Sequence, residues 1–140
     1  MKGGIYDLPH VIERTVPFFH SPDSQFTGLK DRMQRDDLIG GDFFHYIPPD
    51  RVYTMKWTLH DWRDPQALEI LRNLHHAKLE GPGCWLIILE SVRADGQSAR
   101  LSRYADLNMV VATNGLERTE ESWRHLAEES GWEIIAIHPL

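Results

Sequence analysis

The side chains of this 140-residue chain that could do chemistry are polar residues that follow short apolar runs. Asp7 follows Gly4-Ile5-Tyr6, Asp42 follows Leu38-Ile39-Gly40-Gly41, His60 and Asp61 follow the run from Arg51 to Trp57, and Glu90 follows Cys84 to Leu89. An acid placed after an early strand can accept hydrogen bonds from ribose hydroxyls or an adenine amine. Phe43 and Phe44, beside Asp42, offer an apolar face to a flat base. Lys56 can pair with a ligand carboxylate as a point charge. An imidazole titrates near neutrality, so His60 can take a proton from a hydroxyl nucleophile. Glu90 and Glu117 can hold that imidazole and stabilise its charged form, as the orienting acid does in a nucleophile–base–orienter arrangement.

Each residue also has a plain structural reading. Asp7 before Leu8-Pro9 and Asp42 after two glycines suit turns. Lys56 and Glu90 suit solvated strand positions, and His60 a satisfied structural histidine. Asp61 and Asp64 suit helix starts. Glu117 with Arg118 reads as a surface ion pair of little energetic weight. Convergence at strand ends favours a nucleotide-type site, but spacing by itself does not specify the reaction.

The elements that must position these residues follow from pattern. Gly4 to Tyr6 reads as a short strand, and His10 to Arg14 as the opening of a helix. Residues 15–36 are the least regular stretch, interrupted by Pro17, Pro22 and Gly28. Leu29 to Arg35 reads as a short polar helix, Asp37 to Asp42 as a second strand, and Arg51 to Trp57 as a third. Asp64-Pro65 opens the clearest helix, with Asp64 as cap and Pro65 at the first helical position. Ala67, Ile70, Leu71 and Leu74 form one apolar stripe, and Gly81-Pro82 ends it. Cys84 to Leu89 is nearly continuously apolar, as in a parallel strand covered on both faces. Residues 99–112 read as helical. Thr119 caps a last helix closed by Gly131, and Glu133 to Ile137 reads as a final strand. The order β, β, β-α-β-α-α-β implies an α/β layered fold with a mostly parallel sheet, whose ligands sit at the carboxyl ends of the strands.

Composition bounds the class. The chain is 41% hydrophobic and 26% charged, the balance of an ordinary globular protein. A net charge of −6 argues against a nucleic-acid footprint. No apolar run approaches a membrane span, and MKGGIYDLPH lacks the apolar core of a signal peptide. Cys84 is the sole cysteine, which excludes an internal disulfide and fits a reduced, cytoplasmic setting. Without HExxH or CxxC spacing, no metal site is expected.

Several stretches together resemble one family. YDLPHVIE at 6–13, GGDFF at 40–44, MKWTLHDW at 55–62, ILRN at 70–73, LIILES at 86–91, DLNMVV at 106–111 and GLERT at 115–119 resemble the plant caffeic acid and hydroxyindole O-methyltransferase family, with its bacterial and fungal small-molecule members. The resemblance covers most of the chain in the family's order. It implies a Rossmann-like class I methyltransferase sheet with flanking helices, and S-adenosyl-L-methionine as methyl donor. By resemblance, Asp7 is the ribose-binding acid, Asp42 lies at the adenine amine, Phe43 packs on the adenine ring and Lys56 contacts the cofactor. His60 resembles the general base, Glu90 and Glu117 the acids that flank it, and Asp61 a further active-site residue. Trp57, Asn108, Met109 and Thr113 fall where family members line the acceptor pocket. The implied reaction is direct displacement: His60 deprotonates a phenolic or enolic hydroxyl of a small, aromatic or polyketide-like acceptor, and the oxygen attacks the sulfonium methyl.

The chain also departs from that pattern. The family's amino-terminal dimerisation domain, first strand and GGGxG-type loop have no counterpart here, and Gly3-Gly4 is not that loop. Residues 1–140 therefore read as a partial catalytic domain that binds the cofactor weakly or not at all by itself. The expected partners are a hydroxyl-bearing small molecule and either a second copy or a missing amino-terminal part, with no nucleic acid or membrane. The alternatives are a truncated, non-catalytic remnant or a subunit needing a separate amino-terminal piece. An unrelated nucleotide- or phosphoryl-handling α/β domain ranks last, because neither a P-loop nor GxGxxG is present.

Overall fold

A computed structural model describes residues 3–29, 31–93 and 115–139 of the chain. They fall into two compact units, Met1–Pro48 and Pro49–Leu140.

In the first unit, β1 (Ile5–Asp7) and β2 (Leu38–Gly40) pair in parallel, with Ile5 opposite Leu38 and Asp7 opposite Gly40. Parallel partners need a crossover, and α1 (Pro9–His20) supplies it. Pro9 suits the first helical position, where its missing N–H is not needed. The helix runs further than the sequence pattern implied, through Pro17. The bond lost there is the one to the carbonyl of Glu13, which lies on the exposed side, where water can replace it. The polar helix expected over 29–35 is absent. Two 3-10 turns, Thr27–Leu29 and Arg35–Asp37, flank that stretch, and the Gln34 amide donates to Asp37 Oδ2 at 2.9 Å to fix the second. Ile12, Leu38 and Ile47 form the buried centre of this unit.

In the second unit, β3 (Val52–Lys56) and β4 (Trp85–Leu89) are parallel and in register from Val52–Trp85 to Lys56–Leu89. The crossover between them is α2 (Asp64–Ala77). Its stripe of Ala67, Ile70, Leu71 and Leu74 is buried, as the periodicity predicts. It packs on α3 (Glu120–Ser130), which buries Trp123, Leu126 and Ala127. Each fully buried Leu or Ile contributes about 1.5–3 kcal/mol, so this helix pair is the main store of stability here. The ends of α3 follow the sequence: Thr119 Oγ1 accepts from the Ser122 amide at 3.2 Å, and Gly131 takes the left-handed conformation (φ 84°). Two short strands, β5 (Val92–Arg93) and β6 (Arg118–Thr119), add a parallel pair that the sequence pattern did not single out.

Three local expectations are corrected. Asp64 does not cap α2. Arg63 occupies that position without a side-chain cap bond, and the Asp64 carboxylate is bound instead by Arg118. The same helix ends at Ala77, before Gly81, because Lys78 turns extended (ψ 136°) and the next amide, of Leu79, donates to the Asp50 carbonyl at 3.0 Å. Glu133 to Ile137 is not a strand: no described strand pairs with it, and Ile135 is 67% exposed. A β pattern without a ladder partner leaves its backbone groups to water. The helix expected over 99–112 lies outside the described residues. Among the described residues, no helix is long and apolar enough to cross a membrane.

Candidate active site

The first unit brings two of the expected acids to one end of its strand pair. Asp7 closes β1, and Asp42 follows β2 after Gly41, whose amide donates to the Asp7 carbonyl at 2.9 Å. The close approach depends on Gly41. A Cβ there would stand 2.4 Å from Tyr6 Oη. Asp7 is exposed and accepts the Leu8 amide at 2.7 Å on Oδ1. Asp42 is half-buried. Its Oδ1 accepts the Phe44 amide at 2.9 Å, forming a local turn, and its Oδ2 lies 3.2 Å from His45 Nδ1. The turn presents the Phe43 and Phe44 rings edge to face, 5.1 Å between centroids. Tyr6 donates its hydroxyl to the Tyr46 carbonyl. Burial, and then the negative charge of Asp42, hold the Tyr6 phenol above its ordinary range.

The second unit assembles a histidine with a fixed carboxylate. His60 and Asp61 lie on a 3-10 turn, Leu59–Asp61, just after β3, and Glu90 lies just after β4. Because β3 and β4 are parallel and in register, the residues that follow them emerge at one edge. Oε1 of Glu90 accepts the Thr58 amide at 2.8 Å and the Leu59 amide at 2.9 Å. Its Oε2 stands 2.9 Å from His60 Nδ1, with the Glu90 side chain 2% exposed and the imidazole 15%. The distance is that of an ion pair, but neither atom meets hydrogen-bond geometry, so the contact is chiefly electrostatic. His60 Nε2 lies 3.5 Å from Asp61 Oδ1, which is partly exposed. An acid facing Nδ1 favours the proton on that nitrogen and leaves Nε2 as the basic atom.

Lys56 and Trp57 form the step between β3 and this turn. Lys56 is exposed, with Nζ 4.9 Å from the centre of the Trp57 ring, a cation–π contact. Trp57 is 63% exposed and has φ 50°. A positive φ on a bulky residue is strained, and such strain gathers at functional loops. Its amide still donates to the Leu89 carbonyl at 3.1 Å, so the residue after the strand stays tied to β4.

Glu117 is buried, and Leu116 beside it donates its amide to the His60 carbonyl at 2.7 Å. Arg118 is not part of a surface ion pair, as its charge suggested. Its side chain is fully buried, with Nη1 on the Leu59 carbonyl at 2.9 Å, Nη2 on the Trp62 carbonyl at 2.6 Å and Nε on Asp64 Oδ1 at 2.9 Å. No local signal marks an arginine that precedes a helix cap as buried, and its sequence suggested no more than that surface pair with Glu117. Asn108, Met109 and Thr113 lie outside the described residues. Among the described residues, no cluster of three or more His, Cys, Asp and Glu could hold a metal ion.

Comparisons place this geometry among known proteins. A model of the O-methyltransferase domain matches residues 1–133. The chain is 50% identical over 140 residues to O-methyltransferase aclM of Aspergillus oryzae, a match spanning all of this chain and 32% of that protein. It is 34% identical over 145 residues to xanthohumol 4-O-methyltransferase of Humulus lupulus, covering 100% of this chain and 36% of the relative. Its structure is similar, with a TM-score of 0.81 and 29% identity, to an O-methyltransferase of neocarzinostatin biosynthesis in complex with S-adenosyl-L-homocysteine and 1,4-dihydroxy-2-naphthoic acid, covering 100% of this chain and 39% of that one. The chain thus spans about a third of the length of the curated relatives it matches. Its parallel strand pairs and flanking helices are part of a class I methyltransferase fold. With the domain model matched across 1–133 and half its residues shared with a fungal O-methyltransferase, the chain belongs to the O-methyltransferase domain family.

Proposed function

We propose that this chain carries the base and the cofactor-facing acids of an S-adenosylmethionine-dependent O-methyltransferase that methylates a hydroxyl of a small, aromatic or polyketide-like acceptor. The observation that supports it most is the His60–Glu90 contact of 2.9 Å, with Glu90 itself anchored by two backbone amides. A carboxylate held in this way orients the imidazole and stabilises the charge the ring gains when it accepts a proton. The acceptor named for the neocarzinostatin relative, a dihydroxynaphthoic acid, carries hydroxyls of the kind such a base deprotonates.

The donor set of the first unit fits the adenosine part of the cofactor. Asp7 is exposed at the carboxyl edge of the strand pair, where it can accept ribose hydroxyls. Asp42 can accept from the adenine amine, with the Phe43 ring as an apolar surface. In the second unit, Lys56 is the candidate for a cofactor carboxylate and Trp57 for the acceptor ring, with Glu117 and Asp61 as further candidate acids for His60. S-adenosylmethionine, when bound, supplies a methyl group already made electrophilic by its sulfonium. The work left to the protein is positioning and proton removal. A positioned base contributes about 10²–10⁴-fold.

The test is calorimetry of the full chain with S-adenosylhomocysteine, followed by acceptor screens with and without an amino-terminal O-methyltransferase portion supplied in trans. Methyl transfer that disappears in His60→Gln supports the reading. Transfer that survives His60→Gln, or its absence with both portions present and cofactor bound, overturns it.

A further inference from the structure

We propose that Arg118 is a positioning residue for the His60 turn, its fork fixed by Asp64; the inference rests on the reading of His60 as the base. Besides the turn's own bonds, from the Asp61 amide to the Thr58 carbonyl and from the Trp62 amide to the Leu59 carbonyl, the backbone of residues 58–62 is held from two sides. The amides of Thr58 and Leu59 go to Glu90 Oε1. The carbonyls of Leu59 and Trp62 go to the Arg118 guanidinium, and that of His60, between them, goes to the Leu116 amide. Glu90 therefore holds the turn by its donors, and the 116–118 segment holds it by its acceptors. His60 sits between the two grips, so its ring direction is set only when both are closed.

A buried guanidinium is a poor choice for stability alone. Its desolvation is costly, and an apolar residue of similar volume often serves the fold as well. Among the described residues, the carboxylate that meets Arg118 is Asp64, whose side chain is 54% exposed. What a guanidinium offers that an apolar chain cannot is a rigid planar fork. Here its three N–H directions meet two carbonyls and one carboxylate, while its face lies 5.3 Å from the Trp123 ring centre. A lysine keeps the charge but has no fork. The pairing of β5 with β6 sets Arg118 opposite Val92, two residues beyond Glu90, so both grips are tied to one strand pair.

The test reads His60 itself. The full chain, labelled with ¹⁵N at histidine, gives the tautomer and titration of each ring; the His60 signal is assigned by its loss in His60→Gln. In the parent the proton is expected on Nδ1, facing Glu90. In Arg118→Lys the signal is expected to become a mixture of tautomers with a displaced titration midpoint. Where methyl transfer is measurable, kcat should fall at least tenfold while the affinity for S-adenosylhomocysteine stays within twofold. A folded Arg118→Lys protein with the parent tautomer and titration overturns the proposal, even if kcat falls. Should that variant fail to fold, Asp64→Ala takes its place, since it releases the fork at an exposed residue. A shifted His60 signal there supports the proposal, and an unchanged one overturns it. If methyl transfer is absent even with the amino-terminal portion supplied and the cofactor bound, only the functional reading of His60 fails. The ring signals still decide whether Arg118 positions it.

Discussion

Glu90 Oε2 stands 2.9 Å from His60 Nδ1, while its other oxygen takes the amides of the very turn that carries His60. One carboxylate thus fixes both the backbone beneath the imidazole and the nitrogen the ring turns toward it. A change at Glu90 acts on geometry and on protonation together, and the two effects can be separated by the choice of replacement.

In Glu90→Gln the amide oxygen can still accept from Thr58 and Leu59. The amide nitrogen then faces His60 Nδ1 and can only donate, which moves the ring proton to Nε2. The expected result is a folded protein whose methyl transfer falls on the order of 10²–10⁴-fold, the range of a lost general base. Glu90→Ala differs because it leaves two amides without their acceptor. It should also lower unfolding free energy by about 1–3 kcal/mol, read from urea titrations.

Asp7→Asn and Asp42→Ala separate cofactor recognition from folding. Within the protein Asp7 and Asp42 accept from nearby amides, of Leu8 and Phe44, and Asp42 also faces the exposed imidazole of His45 at 3.2 Å. Losing one charged acceptor to a ligand costs roughly 1.5–3 kcal/mol, so each should weaken S-adenosylhomocysteine binding about tenfold to a hundredfold by calorimetry. Thermal midpoints should stay close to the parent value. A large fall in midpoint with unchanged affinity would instead assign both acids to the fold.

Gly41→Ala should destabilise the first unit, because the added Cβ would stand 2.4 Å from Tyr6 Oη and 2.5 Å from Cε2 of the same ring. Overpacking of this kind costs about 1–3 kcal/mol. The cost should shrink in a Tyr6→Ala background, since the two positions are in contact and their effects are not additive. A double-mutant cycle in urea checks this.

The second unit should lose stability in mild acid through His75. Burial, and then the positive charges of Lys78 and His76, hold its imidazole below the ordinary histidine range. Lys78 Nζ lies 2.7 Å from His75 Nε2, and the ring meets Trp132 edge to face at 5.4 Å. With the folded value below the unfolded one, the unfolded chain takes up the proton first as pH falls. The contribution is therefore present above about 6.5, the ordinary imidazole value, and is lost as pH drops from there toward the folded value. Melting curves across that window should show the loss, and His75→Gln should flatten it.

Much of the framework was legible in the sequence because its signals are local. The stripe of Ala67, Ile70, Leu71 and Leu74 specifies the buried face of α2 by its period alone. Thr119 and Gly131 bound α3 through caps that involve neighbours three or four residues away. The apolar runs of β3 and β4 mark Lys56 and Glu90 as strand-end residues.

What the chain could not announce locally were the relations between distant residues. Glu133 to Ile137 has a strand's composition, but a strand exists only if another supplies its ladder, and none is described beside it. Pro17 reads as a breaker, but a helix can pass through it where the lost bond faces water. Asp64 reads as a cap, but a guanidinium 54 positions away claims its carboxylate. Arg118 and Leu59 are 59 positions apart, and only folding shows that a buried charge grips the turn under His60. The sequence by itself determined which side chains stand at the strand ends and which helices flank them. The tertiary structure decided which of those side chains face each other, because burial and hydrogen-bond satisfaction belong to the whole packed unit rather than to any stretch of chain.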